Sequence, residues 1–214
     1  MGNTAFSKQH FFEVLHTQHR LESFNVFMEG KFGISPKMPE RVRPLGYDLD
    51  SVMSKENMVV VDIGGGQGEL LLELKEAYPY LKKENLVLQE FNASANPREG
   101  ITAMDWDFKG PSLQPIKGAD VYNLMHICHN VSDIECMRLL QKVAAAMEPH
   151  SRLWIQEFAK SLTNANIHAG MIAWLGGRER SSEEWHAMAE IAGLRVAFEG
   201  YAKLGEGLVE MRKI

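Results

Sequence analysis

The segment Val59-Val60-Val61-Asp62-Ile63-Gly64-Gly65-Gly66-Gln67-Gly68 constrains the fold of this chain more than any other. The β-branched run reads as a buried strand, and four glycines among five residues read as a tight turn. Glu69-Leu70-Leu71-Leu72-Glu73-Leu74 follows at once and reads as an amphipathic helix. Strand, glycine turn and helix in that order open a βα unit. In such a unit a ligand can lie directly against the backbone of the turn.

The glycine spacing separates ligand classes. Gly64, Gly66 and Gly68 form G-x-G-x-G. A dinucleotide turn needs Gly or Ala one position later, where Glu69 stands. A carboxylate facing the helix N-terminus repels a pyrophosphate, and the Lys-Ser/Thr pair of a P-loop is missing. Asp-x-Gly-x-Gly-x-Gly after a first strand is instead the pattern of S-adenosylmethionine (SAM) enzymes. That ligand brings an ammonium, a sulfonium and ribose hydroxyls, all of which suit acids. A turn that only packs helix on strand is the competing reading of so short a motif.

With 214 residues and 45% hydrophobic content, the chain can bury one ample core. The formal charge of −5 and the lack of a basic run argue against nucleic acid as the principal partner. Cys128 and Cys136 are the only cysteines, and no signal peptide or membrane-length apolar run is seen. A cytoplasmic protein without disulfides, without a membrane segment and without a metal site is expected, since paired zinc ligands lie closer and come in two pairs.

Residues 1–50 read as helical, with Phe11, Phe12, Val14 and Leu15 on one apolar face and Phe24, Phe27 and Met28 on another. Pro36, Pro39 and Pro44 are expected to break that pattern. From residue 51 to 214 strands and helices alternate. Strands are predicted at 86–89, 120–125, 152–156, 194–201 and 206–212, the last two antiparallel, and helices at 133–147 and 182–192. Ser181 or Ser182 caps the latter helix, with Glu184 at capping-box distance from Ser181. This alternation predicts an α/β fold with a mostly parallel, Rossmann-like sheet and helices on both faces.

Ligands of such sheets bind beyond the C-terminal strand ends. Asp62 and the glycines leave the first strand, and Glu90 leaves the second at the spacing of a ribose-binding acid. Asp105-Trp106-Asp107-Phe108 offers carboxylates and aromatics for an adenine. His126-Ile127-Cys128-His129-Asn130 leaves a later strand, and Glu157 ends the next. His126, in an extended segment, is expected to point away from His129 and to be structural.

With those residues in hand, the chain resembles the catalytic domain of SAM-dependent O-methyltransferases of plant and fungal secondary metabolism, from about residue 20 to the C-terminus. Val61–Gly68 looks like the family's cofactor motif, and Leu88-Gln89-Glu90 resembles its second-strand motif with Glu in place of Asp. Asp107-Phe108 resembles the adenine-side pair, and Asp105-Trp106 aligns as an alternative. His129-Asn130-Val131-Ser132-Asp133 is similar to the catalytic His-Asp-Trp-x-Asp segment, with Asn130 and Val131 replacing Asp and Trp. Gly176-Gly177-Arg178-Glu179-Arg180 is similar to the late G-G-K-E-R-T motif.

The resemblance implies a class I methyltransferase sheet that binds SAM and releases S-adenosylhomocysteine. It implies that His129 is a general base flanked by Glu157 and Glu179. The acceptor is expected to be a small aromatic or polyketide-like hydroxyl compound. Its pocket is expected to be walled by Met125, His168, Met171 and Trp174, although Met171 and Trp174 at helical spacing also read as plain core. The family's N-terminal dimerisation domain has no counterpart in the matched residues. Residues 1–50 are therefore expected to act as a lid or dimer face, or a partner chain to replace that domain. Two other readings stay open: a SAM-binding enzyme of non-methylating chemistry, and a non-catalytic partner protein.

Overall fold

The computed structural model describes residues 11–95, 98–203 and 205–214. Helices α1 (Phe11–Thr17), α2 (Leu21–Ile34), α3 (Met38–Val42) and α4 (Leu49–Val52) lead into the sheet domain. There β1 (Val60–Ile63), α5 (Glu69–Ala77), β2 (Leu86–Glu90), β3 (Thr102–Asp105) and β4 (Val121–Met125) come first. They are followed by α6 (Asp133–Ala146), β5 (Arg152–Phe158), α7 (Ala165–Gly170), α8 (Ser182–Ile191), β6 (Leu194–Tyr201) and β7 (Glu206–Lys213). The first ten residues of the expected lid, and the side chain of Phe12, lie outside the described residues.

One seven-stranded sheet runs β3-β2-β1-β4-β5-β7-β6. β1, β2, β3, β4 and β5 are parallel to one another, and β7 runs antiparallel between β5 and β6. Side chains alternate across the sheet, so each face has its own core. Val61, Ile63, Leu124, Leu153 and Ile155 pack with α6 and α8. Val60, Leu86, Val121 and Trp154 pack with α3 and α5.

Three features differ from the sequence reading. First, β3 occupies Thr102–Asp105, which carries no apolar strand run because it is the half-exposed edge strand. Second, only Pro36 falls in a break, just past the end of α2, and the other two prolines sit inside helical turns. Pro39 sits in the first turn of α3 and Pro44 in a short 3₁₀ turn, positions where the missing N–H costs nothing. Third, Met38, Val42, Tyr47 and Leu49 are buried in the same core as Val60 and Leu71, so a boundary at residue 50 cuts through packed side chains. A buried network reinforces that packing. Trp154 Nε1 donates to the Tyr47 hydroxyl at 2.7 Å, Tyr47 donates to Glu210, and Arg152 grips Glu210 at 2.6 and 2.9 Å.

The helix starts agree with the sequence more closely. Ser181 and Glu184 form the expected capping box on α8. Ser132 and Glu135 form a second one on α6 that the sequence reading missed. Cys128 and Cys136 are both buried free thiols.

Candidate active site

The order of the parallel strands reverses between β1 and β4, which opens a crevice at their C-terminal ends. The glycine turn forms one wall. Gly64, Gly66 and Gly68 all have positive φ, at 68°, 60° and 79°, and the last caps the N-terminus of α5. A Cβ on Gly65 would lie 2.2 Å from Asp62 Oδ2, so Asp62 sits directly beneath the turn. It is 1% exposed and accepts a hydrogen bond from Asn123 Nδ2 at 2.7 Å. Burial pushes its carboxyl up to about 7, against the opposing pull of Asn123 and with added repulsion from Glu90, Glu69 and Glu73. Glu90 closes over the turn, its Oε1 accepting from Gly66 N at 3.0 Å, and burial raises its pKa as well.

The adenine-side alternatives separate by burial. Trp106 is 6% exposed within the core, its Nε1 donating to Ser112 Oγ at 3.1 Å. Asp105 is held by the Ser94 N–H and hydroxyl at 2.7 and 2.6 Å. Phe108 is half-buried, and its ring lies 3.8 Å from where a Gly64 Cβ would be. Asp107 accepts from Lys109 N nearby at 2.9 Å. Phe108 therefore edges the glycine turn, while Trp106 faces the interior.

The other wall is the turn after β4. His129 lies on a 3₁₀ turn over Cys128–Asn130 and is 7% exposed. Its Nδ1 lies 2.8 Å from Glu179 Oε1 and 3.2 Å from Glu157 Oε2. Only the Glu179 contact has hydrogen-bond geometry, so Nδ1–H donates to Glu179, and Nε2 carries the lone pair. Glu157 is fixed from behind, its Oε1 accepting from the backbone N–H of Cys128 at 2.8 Å and of His129 at 3.3 Å. Burial raises its pKa against the lowering pull of His129 and His126.

Glu179 comes from a loop 50 residues away from His129. The backbone bridge of Ala159 with Arg180 lays that loop beside the end of β5. Arg180, 1% exposed, donates to Cys128 O at 2.8 Å and Val131 O at 3.3 Å, and its guanidinium stacks over Trp185 at 5.3 Å. A Cβ on Gly177 would lie 2.1 Å from His129 O, so only glycine lets the loop rest on the His129 turn.

His126 is where the sequence reading fails. Its φ of +55° turns the chain out of the strand, and its ring stacks on His129 with centroids 5.2 Å apart. Phe158 stacks on it with centroids 5.4 Å apart, and Nε2 lies 2.7 Å from Glu206 Oε1. Glu206 was not visible because β7 runs backwards, which places its first residue opposite Phe158 at the same sheet edge.

The expected acceptor walls are partly open. Met125 is buried at the end of β4, while His168 and Met171 are half-buried on α7 and the π-helical turn Met171–Leu175 that continues it. Trp174 is 68% exposed, which overturns the reading of it as plain core. His168 Nδ1 is buried with no hydrogen-bond partner among the described residues.

A sheet of this order, with a glycine turn over acids and an imidazole–carboxylate pair across the crevice, defines the class I methyltransferase architecture. An O-methyltransferase domain model matches residues 46–195, and the chain belongs to that family. It is 52% identical to O-methyltransferase bfoE of Aspergillus brasiliensis, covering 100% of this chain and 59% of that protein. Among solved structures, mitomycin 7-O-methyltransferase MmcR superposes with a TM-score of 0.75 at 25% identity, over 96% of this chain and 61% of its own. A pericyclic reaction enzyme superposes with a TM-score of 0.78 at 23% identity, over 97% of this chain and 56% of its own, a likeness of fold alone. The chain thus spans somewhat under two thirds of the length of each of these three proteins. No helix among the described residues is long and apolar enough to cross a membrane.

Proposed function

We propose that this chain is the catalytic part of a SAM-dependent O-methyltransferase acting on a hydroxyl of a small aromatic or polyketide-like compound. The observation that carries the reading is the anchoring of His129 Nδ1 by Glu179 at 2.8 Å, with Glu157 at 3.2 Å. Asp62, Gly64, Gly66, Gly68, Glu90, Asp107 and Phe108 would hold SAM, and it supplies an electrophilic methyl on a sulfonium. The positive-φ glycines and the acids beneath and above them suit a cationic, phosphate-free nucleoside. Phe108 is the aromatic for the adenine, with Asp105 and Trp106 supporting the turn from behind.

A phenol, with a pKa near ~10, is a weak nucleophile until its proton is taken. His129 Nε2 accepts that proton as the oxygen attacks. Glu179 fixes the tautomer that leaves Nε2 basic, and Glu157 stabilises the imidazolium. His168, Met171, Trp174 and Met125 line the acceptor's side, the buried Nδ1 of His168 offering one polar contact. A second copy, or a partner chain, covers the exposed side of this pocket.

His129→Gln tests the reading. SAM affinity should be kept and turnover should fall at least 10²-fold, the span of general-base effects. Mass spectrometry of wild type should find one S-adenosylhomocysteine per product; product without it points to non-methylating chemistry, and unchanged turnover in the variant refutes the base.

A further inference from the structure

His126, His129 and Glu157 each present one ligand atom, and these atoms lie within 4.8 Å of one another in the buried wall of the crevice. We propose that this trio is an inhibitory binding site for a divalent, zinc-class ion, and that the ion and the base function of His129 exclude each other. The inhibitory half rests on the reading of His129 as the base; the metal site does not.

Three features make the trio a built site. Glu157 Oε1 is tied to two backbone N–H groups at 2.8 and 3.3 Å, so Oε2 is held toward His129 Nδ1 as a monodentate ligand. The 3.2 Å between those two atoms is close to the ~3.3 Å separation of ligands on a tetrahedral ion with bonds of about 2.0 Å. His126 also has a carboxylate, Glu206, on Nε2 at 2.7 Å, a partner of the kind that orients a metal-ligating histidine through its other ring nitrogen. Glu179, 2.8 Å from His129 Nδ1, sits on the ligand nitrogen itself, so an ion bound there takes the place of the proton the two share.

Charge favours a cation as well. Glu157, Glu179 and Glu206 surround two imidazoles, so with both rings neutral the cluster carries three formal negative charges. Two nitrogens and one carboxylate oxygen form a donor set suited to zinc rather than to magnesium or calcium. The 4.8 Å limit is wider than a coordination sphere, so an ion draws His126 inward.

Binding at His129 Nδ1 changes the chemistry of the ring. A neutral imidazole ligated through Nδ1 carries its one proton on Nε2. The nitrogen that faces the acceptor becomes a donor and cannot take a proton from a hydroxyl. No net proton is gained or lost: it moves from Nδ1 to Nε2, and the ion replaces it between His129 and the carboxylates.

The test uses dialysed protein titrated with Zn²⁺ by calorimetry, and with Co²⁺ by visible absorption, each with and without SAM. One ion per chain should bind, with the intense d–d bands of a four-coordinate cobalt site, and Zn²⁺ should suppress turnover over the same concentration range. His126→Phe keeps the ring stack and removes a ligand, so affinity should fall at least tenfold. Glu206→Gln, which leaves all three ligands in place, should weaken binding by 10- to 100-fold, the usual effect of losing such an outer carboxylate. The absence of stoichiometric binding, or binding unchanged in both variants, overturns the site. Binding without loss of turnover overturns the inhibition and, with it, the reading of His129 as base, while the site itself stands.

Discussion

Asp62 gives the sharpest test of how the crevice takes a cationic ligand. Its carboxyl is 1% exposed beneath the glycine turn and is pushed up to about 7 by burial and by neighbouring carboxylates. If SAM binds the ionised form, affinity scales with the ionised fraction. Between pH 6 and 7.5 that fraction rises about eightfold for a pKa of about 7, worth about 1.3 kcal/mol. Glu90, raised by the same cause, adds in the same direction.

The sign is opposite for the stability of the ligand-free protein. The unfolded carboxyl titrates near 3.8 and the folded one near 7, so the folded state holds the extra proton in between. Stability therefore falls as pH rises through that window, by up to ~4 kcal/mol. The assay is SAM titration calorimetry in two buffers of different ionisation heat. About 0.9 proton should be released per SAM at pH 6, with much less at pH 7.5. Asp62→Asn should flatten both profiles. An affinity change below twofold in wild type, or the same slope in Asp62→Asn, would refute the coupling.

Other parts of the site and fold answer to single substitutions. Gly177→Ala places a methyl 2.1 Å from His129 O, so the catalytic turn must move; turnover should drop by a factor of ~10² while SAM affinity holds. Arg180→Met takes the guanidinium donor from the buried Val131 carbonyl and leaves the Cys128 carbonyl only the Val131 N–H at 3.4 Å, at ~1–3 kcal/mol for the orphaned Val131 oxygen, read as a lower denaturation midpoint. Arg152→Met removes the closer of the two counter-charges of Glu210, 2% exposed, leaving Arg212 Nη1 at 3.4 Å and the Tyr47 hydroxyl, and should cost about 1.5–3 kcal/mol in the same assay.

What was legible in the sequence followed from periodicity and from turn chemistry. The central strands are continuous apolar runs because both faces of the sheet are covered, and the glycine turn announces itself because three of its residues need positive φ. His129 and Glu157 were legible as strand-exit residues, but Glu179 only through family resemblance, since no spacing rule joins a loop glutamate to a histidine 50 residues before it. β3 was missed because an edge strand with half-exposed residues has no apolar signature. His126 was misplaced because alternation assumes extended backbone, and a φ of +55° ends that assumption within one residue.

The ligand preference follows from topology as much as from composition. Parallel strands deliver Asp62, Glu90 and Glu157 to one edge of the sheet because each strand ends there. The antiparallel β7 delivers Glu206 to the same edge because it begins there, and the Ala159–Arg180 bridge brings Glu179 alongside. A chain of modest net charge thus gathers five carboxylates around one crevice, where burial makes their repulsion expensive. Burial is the main cause of the raised pKa values of Asp62, Glu90 and Glu157, and repulsion from neighbouring carboxylates adds to it at Asp62 and Glu157. On the proposed reading, a sulfonium over the glycine turn and the imidazolium that forms when His129 takes the acceptor's proton would each offset part of that cost, whereas a phosphate-bearing ligand at this turn would add to it.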